Sequence, residues 1–335
     1  MNRRGFTIVE LVTLLVIVGT LVALLVVGGQ RTRRSAQLNA SLSNLKELST
    51  LTASYHADNA DRYWSFSWRR GVVPDSQFAD LRNYAQSGDD LAAASAQAID
   101  ILRRRTGNAG IPIISSWIPH IFLNPIVLAD YAARPLPMWT LVSPADSYLV
   151  NRARNPFAGG IDDPYWRFAF SSSYELGTAF YSPDRGDGPG RNTLVQAGTQ
   201  NSWQFSGPGQ NNVLGGRSLA DVAFPSQKAF MYDRAQRHFG VSSIYFAFTQ
   251  ARPLVLAVDG HATPRNTAKC LPGFRPGTPR STFPTRYSYS PDSDRGDPPT
   301  PGGGSSATLQ GYLRWTRGGL QGRDFDGQEI DTSAW

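Results

Sequence analysis

The chain has 335 residues, 41% of them hydrophobic and 18% charged, and a formal net charge of +7. That length buries a substantial core in one domain or two, and the basic excess permits contact with anionic lipid, nucleic acid or acidic polymers without demanding any of them. The single cysteine, Cys270, excludes an intrachain disulfide, a multi-thiolate zinc site and an iron–sulfur cluster.

The first element is a nearly unbroken apolar run from Phe6 to Gly29, preceded by Arg3 and Arg4 and followed by Arg31, Arg33 and Arg34. As a helix it reaches about 30 Å, the thickness of a bilayer core. An ordinary secretory signal has a shorter apolar core and a small-residue cleavage site after it; here arginines follow instead. A plain anchor explains the length but not Glu10, because a carboxylate inside a membrane helix is costly. Basic residues at both ends leave the orientation open.

The stretch Gly5-Phe6-Thr7-Ile8-Val9-Glu10-Leu11 resembles the cleavage and methylation signal of type IV prepilins and type II secretion pseudopilins. The resemblance implies a leader at 1–5, a cut between Gly5 and Phe6 by a prepilin peptidase, and methylation of Phe6 as the new N-terminus. It places the family's acidic residue, fifth in the mature chain, at Glu10. A cationic amine in the membrane end of the helix then meets a neighbouring subunit's carboxylate, and the pair sets register. The same resemblance implies a single pass through the inner membrane with the bulk of the chain periplasmic or on an extracellular filament. Its implied partners are other pilin or pseudopilin subunits, an inner-membrane assembly platform and membrane lipid.

The helix is predicted to continue over 30–61. No proline precedes Pro74, and Leu38, Leu42, Leu45, Leu48, Leu51 and Tyr55 recur at spacings of three or four, one apolar stripe that suits packing on a globular domain. Residues 62–335 form that domain. In "RYWSFSWRR" (62–70) Trp64, Phe66 and Trp68 alternate with serines, as in a half-buried strand. Arg62, Arg69 and Arg70 invite a second reading, a stacking platform for single-stranded nucleic acid. Large aromatics on one strand face usually fill a core, so nucleic acid is left off the expected partners.

Residues 78–105 read as a helix with arginines in its last turn, its place on the domain surface open. Strands are expected at "YWRFAF" (165–170), "KAFMYD" (228–233), "SSIYFAF" (242–248) and "LVLAVD" (254–259), the last three as an antiparallel meander. The Pro- and Gly-rich segment 264–305 reads as a long irregular loop, and the chain closes with a strand-like piece and a turn-rich tail. The fold class is therefore α+β: a long N-terminal helix, half for membrane and half amphipathic, on an antiparallel sheet domain with long loops, a pilin-like plan.

"HFG" at 238–240 and "LAVDGHA" at 256–262 resemble the H-X9-DG C-terminal domain that many prepilin-like proteins carry. The histidine would be His238 and the Asp-Gly pair Asp259-Gly260, followed by His261. The spacing is longer than the family's, as if one hairpin arm had been inserted. No biochemical role follows from this likeness.

Two metal readings stay open. His238, Asp259 and His261 would make a ligand set if they converged at one end of the meander; otherwise Asp259-Gly260 is a turn and the histidines bond to backbone. Major pseudopilins bind calcium in a C-terminal loop, which directs attention to "RDFDGQEID" (323–331), with Asp324 and Asp326 foremost, and to Asp184 and Asp187. Neither run has the full calcium-loop pattern. No nucleophile elbow, zinc-protease motif or phosphate loop is present, so no enzymatic activity is assigned. The expected function is a pseudopilin-like structural subunit assembled through its N-terminal helix. The alternative is a membrane-anchored binding module for a glycan, a secreted substrate or DNA, with Trp64, Trp68, Arg69 and Arg70 as its contact residues.

Overall fold

The computed structural model describes residues 7–183, 192–207, 214–274 and 281–330, with only the backbone of 24–27. Its dominant element is α1, Ile8–Asp58, a single helix of 51 residues and therefore about 76 Å long. Thr7 starts it with a capping box and Asn59 ends it, donating its side-chain amide to the Tyr55 carbonyl at 2.9 Å. Two consecutive left-handed residues, Ala60 and Asp61, then turn the chain back.

The two halves of α1 differ in what they touch. Ile8–Val22 stands clear of the rest of the chain. From Gln37 onward the helix lies on the domain: Leu45 and Leu48 are fully buried, and Leu38, Leu42, Leu51 and Tyr55 pack against the same core. Polar ties fix the register, with Gln37 donating to the Pro144 carbonyl at 3.0 Å, Asn44 to Val142 at 3.1 Å, and Ser41 and Ser143 sharing a 2.9 Å hydroxyl contact.

Under this helix sits a four-stranded antiparallel sheet. Its strands are β1 (Tyr174–Leu176), β4 (Ala229–Asp233), β7 (Leu254–Ala257) and β8 (Ala262–Pro264), in the order β1-β4-β7-β8. Leu254 and Leu256 of β7 face the α1 side, and Val255 and Ala257 face a second core, so the apolar run has both faces covered. In β4 the neighbours Phe230 and Met231 both join the α1-side core, because a bulge between Ala229 and Met231 breaks the alternation. The second core lies against the ribbon of β9 (Arg286–Tyr289) and β10 (Ala307–Gln310). Two smaller hairpins complete the strands: β2 (Thr193–Gln196) with β3 (Trp203–Ser206), and β5 (Ala235–Gln236) with β6 (Ile244–Tyr245). Where the chain crosses itself near the ribbon, a Cβ on Gly273 would lie 2.0 Å from the Gly311 carbonyl oxygen, so only glycine fits there.

Several expectations are corrected. The meander is not formed: 244–245 pairs with 235–236 in its own hairpin, and β4 pairs directly with β7. Segment 165–170 is a 3-10 helix, Trp166–Phe170, since two of its aromatics, Trp166 and Phe170, close a local cluster with Phe157. The single helix over 78–105 is two, α2 (Ala79–Ser87) and α3 (Asp90–Thr106), split where Gly88 ends one and Asp89 caps the other. Nor is α3 a surface helix: Ala93, Ala96, Ala98, Ile99 and Leu102 are completely buried. Segment 62–70 is extended but pairs only through an Arg62–Ser218 bridge, and four consecutive residues, Tyr63 to Phe66, are buried. Residues 264–305 are not one loose loop, because β9 lies within them and Tyr289 is fully buried.

Candidate functional site

The apolar half of α1 is long and apolar enough to cross a membrane. Its threonine hydroxyls are satisfied within the helix, as a lipid environment requires. Thr13 donates to the Val9 carbonyl at 2.8 Å and Thr20 to that of Ile17 at 2.8 Å. Glu10 caps its own helix: its Oε2 accepts from the Thr7 amide and the Thr7 hydroxyl, both at 2.9 Å, while its amide donates to that hydroxyl at 3.3 Å. Both bonds use one carboxylate oxygen, and Oε1 has no partner among the described residues. Gly5 and Phe6 lie outside the described residues.

Thr7 is the residue that sequence reasoning passed over, although the Thr-x-x-Glu spacing of a capping box is visible in 7–10. The motif gives Glu10 a structural role inside its own helix as well as the intermolecular one inferred for it.

The histidine and Asp-Gly elements do not form one cluster. Asp259 and Gly260 make the β7–β8 turn, with Gly260 at φ +88° and the Gly260 amide donating to the Ala257 carbonyl at 3.0 Å. His261 Nδ1 lies 2.5 Å from Asp259 Oδ1, and the His261 amide donates to the same oxygen at 3.2 Å, so this histidine orders the turn through both its ring and its backbone. A Cβ on Gly260 would come 3.0 Å from the Ser49 hydroxyl, which seats the turn against α1. His238 sits instead beyond β5, in the β5–β6 hairpin. Its ring is buried, and neither nitrogen has a hydrogen-bond partner among the described residues. Burial, with Arg237 beside it, lowers its pKa to about 4.

The acidic C-terminal loop is engaged as well. Asp324 is buried and takes the Lys228 ammonium at 3.2 Å, the Ala229 amide at 2.8 Å and the Thr316 hydroxyl. Burial raises its pKa, opposed by Lys228. Asp326 pairs with Arg265, and Glu329 with Arg317. Asp324, Asp326 and Glu329 each already face a cation, so among the described residues the loop shows no uncompensated oxygen cage of the kind calcium requires. Among the described residues, no group of three or more histidine, cysteine, aspartate and glutamate side chains is placed to hold a metal. Asp184, Asp187 and Asp331 lie outside the described residues.

The aromatic stretch does not offer a stacking platform. Trp64 and Phe66 are in the core, with Trp64 Nε1 donating to Thr52 of α1 at 2.9 Å. Arg69 donates to the Phe66, Trp68 and Leu214 carbonyls. These residues bind the helix to the domain.

No family model matches the chain, and no match was found among the curated proteins or the solved structures.

Proposed function

We propose that the chain is a pseudopilin-like structural subunit, cut after Gly5 by a prepilin peptidase and assembled through its N-terminal helix into a type II secretion or type IV pilus-like filament. One observation carries the reading. A single uninterrupted helix has an apolar half that, among the described residues, is exposed, and a second half bound to the domain, with Glu10 the one charged residue of the apolar half. Such a helix needs an apolar surrounding, first lipid and then its own neighbours. Oε1 of Glu10, without a partner among the described residues, is the acceptor offered to a neighbouring subunit's N-terminal amine, a pairing that fixes register more than it adds stability.

The test is intact-protein and N-terminal peptide mass spectrometry of the membrane fraction, for wild type and Glu10→Ala. A mature chain beginning at methylated Phe6, with Glu10→Ala processed but no longer crosslinking into oligomers, is the expected result. An uncut chain beginning at Met1 would reduce the segment to a simple anchor.

A further inference from the structure

The β5–β6 hairpin reaches toward the apolar half of α1. Among the described residues, the most N-terminal hydrogen bond from helix to domain is that of the Arg34 guanidinium to the Gly240 carbonyl, at 3.2 Å. Arg34 lies five residues beyond Gly29, which is about 8 Å at the helical rise and within roughly the depth of a headgroup layer. Helical side chains lean toward the N-terminus, so the guanidinium, and Gly240 with it, sits on the membrane side of the Arg34 backbone.

The tip of the hairpin is well defined. Gln236 donates to the Phe239 carbonyl at 2.8 Å and Ser243 to the Gln236 carbonyl at 3.0 Å. Arg252 stacks on Phe239 with its guanidinium carbon 4.5 Å from the ring centroid, and Gly240 takes φ +76°. At the apex of this braced turn is Val241, 97% exposed. A rigid turn that presents a bare valine beside Arg34, on the stretch of α1 that also carries Arg31 and Arg33, joins an apolar point to a cationic stretch of helix, the pattern that suits the boundary of an anionic bilayer.

We propose that the Phe239–Ser243 tip is a membrane-interface contact, with Val241 entering the headgroup boundary of an anionic phospholipid bilayer and the three arginines meeting lipid phosphates. The contact sets the tilt of α1 and its domain on the bilayer before assembly. It rests on the reading that the apolar half of α1 spans the membrane.

The test uses the full-length chain in phosphatidylcholine–phosphatidylglycerol vesicles carrying spin-labelled quencher lipids. An environment-sensitive fluorophore is attached in turn at Val241→Cys, Leu14→Cys and Asp58→Cys; Cys270 is buried and does not compete for label. The expected result is a blue-shifted emission at 241 that shallow-quencher lipids remove for the most part. Position 14 is then quenched by deep-quencher lipids, and position 58, more than 40 Å along α1 from Gly29 at the helical rise, by neither. An unquenched probe at 241 with position 14 quenched overturns the hairpin contact and leaves the span standing. Absence of quenching at both positions overturns the span and the contact together.

Discussion

Arg314 holds both carboxylate oxygens of Glu175, Nε to Oε1 at 2.6 Å and Nη2 to Oε2 at 2.7 Å, with neither side chain more than 4% exposed. Glu175 is the middle residue of β1, between Tyr174 and Leu176, which face α1; it points to the opposite layer. There Tyr232, its cross-strand neighbour, donates to Oε1 at 3.0 Å, and the guanidinium lies among Trp203, Phe246 and Tyr287. Two charges are thus buried, and each is expensive without the other.

Arg314→Met and Glu175→Gln are each expected to cost roughly 3–5 kcal/mol, since each leaves a charge uncompensated. The double replacement should cost clearly less than the sum. Denaturant unfolding of the detergent-solubilised chain measures all three, and simple additivity would show that the pair is not coupled.

Acid should weaken the domain. His120 is 2% exposed, its Nε2 3.0 Å from the Ser65 hydroxyl and its ring stacked on Tyr181. Burial, with Arg69 nearby, holds its pKa at about 3, as burial beside Arg237 holds His238 at about 4. Both imidazoles take a proton near pH 6.5 only when the chain is unfolded, so their stabilisation is complete above pH 6.5 and is lost as pH falls below it.

Asp233 acts in the opposite sense. Burial lifts it to about 7 against the pull of Arg237, so the folded chain binds its proton first and gains stability as pH falls from 7 toward 4. Of these three groups, two against one leave a net loss of about 1.4 kcal/mol per pH unit between about 6.5 and 4, while Asp324, raised by burial, and His56, lowered by it, act in opposite senses. His120→Gln should flatten that slope and Asp233→Asn should steepen it. Unfolding curves at pH 7, 6 and 5 read the slope, and a stability independent of pH would refute the assignment.

The joint between helix and domain is apolar. Leu45 and Leu48 are both fully buried at its centre, and Leu48→Ala should cost about 2–5 kcal/mol through lost burial and an unfilled cavity. Leu14→Ala, in the half with no intrachain contact, should leave the same unfolding curve unmoved. Hydrogen exchange over 37–55 is expected to accelerate in the first variant alone; equal protection in both would mean that α1 does not depend on this contact.

How much of this was legible in the sequence follows from the range of the interactions involved. The helix, its apolar half and the Leu38–Tyr55 stripe are local periodic signals, and they lie where 3.6-residue spacing puts them. Strand cores such as 229–233 and 254–257 were also readable, because β-branched and aromatic runs between turns carry them. Pairing was not readable: the partner of 244–245 is a two-residue strand at 235–236, too short to leave a pattern. Segment 165–170 has a strand's composition, yet Trp166 and Phe170 are spent on Phe157. At the acidic loop, Asp324 looked like a ligand because Lys228, its counter-charge, lies 96 positions away in the chain. Charge pairing at that separation is invisible until the chain is folded.

Thr7 and Glu10 separate two roles for the carboxylate. The Thr7 hydroxyl both accepts from the Glu10 amide and donates to Oε2, whereas the Thr7 amide bonds to Oε2 whatever the side chain. Thr7→Val therefore frees part of the carboxylate and loosens the first turn, while Glu10→Ala removes the charge altogether. If Glu10 serves a neighbouring subunit's amine, Thr7→Val should crosslink into oligomers in membranes at least as well as wild type, and Glu10→Ala and Glu10→Gln should not. If its only task is to cap α1, Thr7→Val and Glu10→Ala should speed hydrogen exchange of the first turn alike and leave oligomer yields equal. Crosslinking yield and first-turn exchange, measured on the same membrane preparations, tell the two apart.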